Sequence, residues 1–277
     1  MQSRSISVAQ TCPVGGDVQA NLEEHLRLAE LAASEGAQIV VFPELSLTGY
    51  EIGLADALAF SEHDPRLAPL IEAAASHSTT LVVGAPVRVG ARLHIAAFVI
   101  SPERTTTLYT KHHLGAFGKS ARRDGVVPPA EATVFQPGER NPLVRFGGHL
   151  AALAVCADVG RPSHPLRAAD KGAKNYLASM FVIPSEFEGD AARLSAYAAR
   201  HSLAVALANF GSPTGGLAAA GRSSIWSEAG RLVVRLSPSG AGVAVATETP
   251  EGWRAKALML GKPQATTRAS PPGRLPV

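Results

Sequence analysis

Cysteine is scarce here: Cys12 and Cys156 are the only two in 277 residues. Two isolated thiols build no disulfide framework, so the chain must fold on its apolar core. The sequence also lacks the paired Cys/His spacings of a zinc site. A metal centre joining Cys156 to His112, His113 or His164 therefore has no support, and the expectation is no metal. Aromatic residues make up 5% of the chain and charged residues 18%, with no basic-aromatic stripe, which excludes nucleic acid as a partner. No segment reaches the run of about 18 apolar residues that a membrane span requires. Residues Met1 to Val8 lack the basic start and apolar stretch of a secretory signal, so a soluble, cytoplasmic protein is expected. The formal charge of +3 owes much to Lys262, Arg268 and Arg274 in a C-terminal stretch without acidic residues, and the body is near neutral.

What is present is a 46% hydrophobic chain with alternating helix and strand patterns. Ser5 to Gln10 alternates like a strand. Val18, Leu22, Leu26, Ala29 and Ala33 then recur at helical spacing up to Gly36, placed to end a helix, and Ala37 to Phe42 reads as a buried strand. This β-α-β pattern repeats with a helix over Asp64 to His77 and a strand over Thr80 to Gly84. Arg92 to Ile100 and Thr105 to Thr110 read as a hairpin, so the fold is not purely parallel. After a Gly/Pro/charge-rich loop from Gly115 to Glu139, a second hairpin is predicted across Gly147 and Gly148. A helix follows over Pro165 to Lys171, a strand over Asn175 to Phe181, and a helix over Asp190 to His201 with Leu194, Ala198 and Ala199 inward. Strands are expected over Leu203 to Ala208, Ser223 to Trp226, Leu232 to Leu236 and Val243 to Thr247. The division predicted is one domain over residues 1–260 and an extended Pro/Gly-rich tail over 261–277.

Three strand-like runs end on chemistry. One delivers Glu44 after Phe42-Pro43, one delivers Lys111 after Tyr109-Thr110, and the apolar run from Leu150 to Val155 delivers Cys156. Ligands of open α/β sheets bind beyond the carboxyl ends of the strands, which makes Cys156 a candidate nucleophile. A thiol needs a neighbouring base or cation, and Glu44 and Lys111 supply both. Lys111 and the backbone N–H of Ala157 are placed to stabilise an oxyanion. Cys12, in a Thr11-Cys12-Pro13 turn, has no assigned role.

These residues resemble the nitrilase superfamily of carbon-nitrogen hydrolases. Val41-Phe42-Pro43-Glu44 with Thr48-Gly49-Tyr50, Lys111-His112-His113-Leu114, Glu131 ahead of Phe135-Gln136-Pro137-Gly138, Cys156-Ala157-Asp158, and Asn209 with Gly221-Arg222-Ser223 are similar to that family's ordered blocks. The resemblance implies an α/β fold, a four-layer α-β-β-α sandwich with mixed sheets in a single domain, assembled as a homodimer or higher homo-oligomer. It implies a Glu44, Lys111, Cys156 catalytic triad with Glu131 as a second glutamate positioning substrate beside the lysine, and neither metal nor organic cofactor. Tyr50, His113, Ala157 and Phe181 are the expected substrate contacts. Ala157 stands where the family commonly has an aromatic residue, which predicts an altered pocket wall. The implied activity is hydrolysis of a small amide through a cysteine thioester, with N-carbamoyl amine or nitrile hydrolysis on the same triad as alternatives. A binding protein on an inactive hydrolase scaffold is the alternative of another class. Arg122 or Arg123, in the loop with Lys119, is a further candidate for pairing with a substrate carboxylate, against the plainer reading of a solvated loop.

Overall fold

The structure, a computed structural model, describes residues 3–118 and 127–261. Thirteen strands form in these residues: β1 Ser5–Gln10, β2 Ile39–Val41, β3 Thr80–Val89, β4 Arg92–Ile100, β5 Thr106–Thr110, β6 Leu143–Phe146, β7 His149–Val155, β8 Asn175–Ser179, β9 Ala204–Ala208, β10 Ser224–Trp226, β11 Leu232–Arg235, β12 Gly242–Thr249 and β13 Gly252–Met259. The helices are α1 Val18–Ser34, α2 Ala55–Leu58, α3 Ala68–His77, α4 Ser163–Asp170 and α5 Phe187–His201. The strands make two mixed sheets, ordered β13-β12-β1-β2-β3-β4-β5 and β11-β10-β9-β8-β7-β6.

Each sheet is built around a parallel trio, β1-β2-β3 in one and β7-β8-β9 in the other, flanked by antiparallel strands. Parallel neighbours need crossovers, and these are α1 and α3 in the first sheet, α4 and α5 in the second. The burial pattern separates into layers. One apolar cluster, with Ile6, Val41, Leu153 and Leu177, lies between the sheets; a second packs α1 and α3 on the first sheet, and a third packs α4 and α5 on the second. The result is the four-layer α-β-β-α sandwich. Each fully buried Val, Leu or Ile contributes roughly 1.5–3 kcal/mol.

Several elements differ from the sequence reading. The buried face of α1 is Asn21, Leu22, His25, Leu28, Ala29 and Ala32, a stripe rotated to admit two polar residues, with Leu26 and Ala33 only half-buried. In α5 it is Tyr197, not Ala199, that turns inward beside Leu194 and Ala198. Strand β3 runs on to Val89 and pairs antiparallel with β4, so the first hairpin lies one strand earlier as well. Strand β13 was not expected. It is an edge strand exposed along most of its length, and the alternation in Arg254-Ala255-Lys256-Ala257 rests on alanines too small to mark a buried face. The turn at Gly147 and Gly148, both with positive φ, joins Phe146 to His149 as the sequence predicts. The tail residues 262–277 lie outside the described residues.

Candidate active site

Glu44 follows β2 in a turn that the first sheet holds tightly. Phe42 N donates to Val82 O at 2.9 Å and Leu47 N to Gly84 O at 2.9 Å. A Cβ on Gly84 would stand 2.5 Å from both Leu45 N and Pro43 O, so this close approach requires glycine. From the other side, His25 of α1 donates through Nδ1 to Asn21 O at 2.6 Å and accepts at Nε2 from Ser46 Oγ at 2.8 Å, stacked on Phe42. Burial holds the His25 pKa down at about 4, so the ring is neutral and serves as a strut.

Lys111 leaves β5 with its N–H on Ile95 O at 2.8 Å, and its own carbonyl accepts from Gly138 N at 2.8 Å. Its Nζ donates to Glu44 Oε1 at 2.6 Å and to Glu131 Oε1 and Oε2 at 2.8 and 2.7 Å. Glu131 opens a one-turn 3₁₀ helix and also accepts from Tyr50 Oη at 2.8 Å and Gly115 N at 2.7 Å. All three charged side chains are buried. Cys156 closes β7 and opens the turn Cys156–Gly160 with φ of 45°. A non-glycine residue in this left-handed region costs on the order of 1–3 kcal/mol, retained where the surroundings enforce it. Its Sγ lies 3.8 Å from Phe181 O.

Two carboxyls facing one ammonium and one thiol set the electrostatics. Desolvation raises the Glu44 pKa to about 7; Lys111 pulls it down, Glu131 pushes it up, and the Cys156 thiol favours its charged form. Burial disfavours the Lys111 charge, yet Glu44, Cys156 and Glu131 more than offset this and hold it protonated. Burial, with Glu44 next, pushes the Cys156 thiol well up, against the pull of Lys111. The resting site is thus a neutral thiol beside a carboxyl that ionises near neutral pH. Glu44 Oε2 is buried and, the Cys156 thiol aside, meets no hydrogen-bond donor among the described residues, so it is able to accept a proton.

A cavity of about 180 Å³ opens onto Cys156, with Tyr50, Phe117, Glu131, Ala157 and Phe181 among its walls. The rings of Tyr50, Phe117 and Phe181 pack with centroids 5.0–5.5 Å apart as an aromatic part of its wall. A larger groove of about 470 Å³ runs by Glu62, Thr107 and Arg140 and touches none of Glu44, Lys111 and Cys156. Of the expected substrate contacts, Tyr50, Ala157 and Phe181 line the cavity and His113 does not. The His113 ring turns to Asp158, with Nδ1 2.8 Å from Oδ1, because a buried carboxylate takes the donors around it. His112 and His164 gather at this same cluster. Lys119, Arg122 and Arg123 lie outside the described residues. Sequence reasoning missed Phe117, Met180, Glu186, Asp190 and Arg193 on the cavity wall. Only the i, i+3 spacing of Asp190 and Arg193 near the start of α5 offered a signal.

The carbon-nitrogen hydrolase family model matches residues 5–257. The chain belongs to the carbon-nitrogen hydrolase family. It is an enzyme of the nitrilase superfamily, to which its fold also conforms: a cysteine-to-alanine mutant of the amidase from Nesterenkonia sp. AN1, in a complex with butyramide, superposes with a TM-score of 0.77 at 26% identity, over 89% of this chain and 91% of that one. Another structure of that amidase, with the same score and identity, carries the acetamide moiety of fluoroacetamide covalently on its active-site cysteine. Among curated proteins, the glutamine-dependent NAD(+) synthetase of Mycobacterium tuberculosis is 29% identical over 268 residues, 89% of this chain. The chain spans only 39% of the length of that synthetase. An (R)-stereoselective amidase from Pseudomonas sp. is 27% identical over 177 residues, 63% of this chain and 59% of its own.

Proposed function

We propose that this carbon-nitrogen hydrolase cleaves a small amide through a thioester on Cys156. The observation that carries the reading is the buried Lys111 ammonium, clamped between Glu44 and Glu131, with Glu131 lining the same cavity as the Cys156 thiol. Glu44 takes the thiol proton, and the thiolate sulfur attacks the amide carbon. Lys111 and the Ala157 N–H stabilise the oxyanion; the C–N bond breaks, and Glu44 returns its proton to the departing ammonia or amine. Water, deprotonated by Glu44, then attacks the thioester, releases the carboxylic acid and restores the thiol. Glu131 keeps Lys111, Tyr50 and the Gly115 backbone in register throughout. The small cavity with its aromatic wall favours short acyl groups.

The glutamine-dependent relatives favour a second reading, in which the cleaved amide is that of glutamine. Ammonia release is to be measured on acetamide, butyramide, glutamine and an N-carbamoyl amine, for the wild type and C156A. Release from the short aliphatic amides, lost in C156A, supports the first reading; release from glutamine alone supports the second. Turnover that survives C156A would reject the thiol mechanism.

A further inference from the structure

Lys111 and Cys156 ride on turns that leave different sheets, and one side chain touches both turns. Asp158, fully buried, accepts at Oδ2 from Tyr109 Oη of β5 at 2.7 Å and from Val155 N at the end of β7 at 3.2 Å. Its Oδ1 accepts from the His113 N–H at 2.9 Å and from His113 Nδ1 at 2.8 Å. The donors flank Lys111 on one side and precede Cys156 on the other. The network extends one layer further. Tyr109 gives its proton to Asp158, so its oxygen accepts from His164 Nε2 at 3.2 Å, and His164 Nδ1 accepts from Tyr176 Oη at 2.9 Å. Burial holds His164 near a pKa of about 4, in keeping with this neutral tautomer. The result is a directed chain from Tyr176 to His164 to Tyr109, ending on the carboxylate.

We infer that Asp158 is a positioning residue: it ties the Lys111 turn to the Cys156 turn across the two sheets and keeps Cys156 in its left-handed conformation. This rests on the thiol-hydrolase reading above. Asp158 itself meets no reacting atom; it acts by fixing where Lys111 and Cys156 meet the carbonyl. Replacing one oxygen by an NH₂ group opposes two donors and leaves a buried N–H unpaired, so the turns shift even though size is kept.

The test is D158N, together with H113A and H113N. In D158N, kcat per titrated active site should fall on the order of 10- to 100-fold with KM changed by less than about threefold, since misplacement affects the transition state more than binding. Alkylation of Cys156 by a limiting haloacetamide should slow about fivefold or more, with its pH midpoint displaced. H113A should lose several-fold in kcat, and H113N, whose side-chain amide can donate from near the Nδ1 position, should recover most of it. A folded D158N with wild-type kcat and alkylation profile overturns the inference. So does a variant with lowered Tm but unchanged kcat per active site, which would make the role merely structural. Were D158N not to fold, the H113A and H113N pair decides in the same way. If the wild type turns over no amide at all, the hydrolase reading fails, while the alkylation comparison still judges Asp158.

Discussion

At the scale of single residues, the account depends on Glu44 ionising in the working range. Its pKa is raised by burial to about 7, and the base form is required, so activity is expected to be low in acid and to rise as pH increases through about 7. The acid limb of kcat/KM checks this; a limb centred near pH 4.5 would mean that the carboxyl behaves as an exposed glutamate. E44Q should lose activity across the whole range. Replacing Lys111 with Met removes the oxyanion donor and should lower kcat by on the order of 10² to 10³. It also leaves Glu44 and Glu131 facing each other without a counter-ion. A near-normal kcat in K111M would remove the lysine from the mechanism. These residues were legible in the sequence because each follows a strand-like run, apolar before Glu44 and Cys156 and threonine-rich before Lys111. The partner of His113 was not, because Asp158 lies 45 positions away and nothing local reveals a contact between sheets.

At the scale of elements, the parallel trios, both predicted hairpins and the main helices were readable, since buried strands and amphipathic helices impose their periods on the sequence. The pattern failed where burial does not set the period. Strand β13 is solvated on both faces, and α1 spends part of its buried stripe on Asn21 and His25, which hydrogen-bond to hold the Glu44 turn. The turn itself makes a prediction. G84A would drive a methyl against the Pro43 and Leu45 backbone, which cannot swing aside as a side chain could. The expected cost is at least about 2 kcal/mol of stability, with activity lost beyond the folded fraction, read from denaturant midpoints and kcat. Wild-type stability and kcat in G84A would show the approach to be looser than described.

At the scale of the whole molecule, buried histidines and buried carboxyls pull the response to acid in opposite directions. His25 and His164 both have pKa values lowered from 6.5 to about 4, so their contribution is full above pH 6.5 and is lost as pH falls toward 4. Glu44 acts with the opposite sign: its raised pKa favours folding at low pH, and that contribution fades as pH rises through about 7. Glu24, Glu186 and Asp190, also raised by burial, act in the same sense as Glu44. On acidification from pH 6.5 toward 4 the two histidines therefore work against folding and the raised carboxyls for it. Urea unfolding at pH 6.5 and 5.0 should show the wild type losing more stability in acid than H25Q does, and an equal pH dependence in the two would contradict a buried neutral His25.

The central claim is that the thiol at the end of β7 carries the acyl group. Its most direct measurement is the intact mass of enzyme quenched in acid during turnover of butyramide, with the adduct located by peptide mapping. The account predicts a mass increase of one butyryl group on Cys156 in the wild type and none in C156A. Turnover without any adduct, or an adduct on another residue, would contradict it.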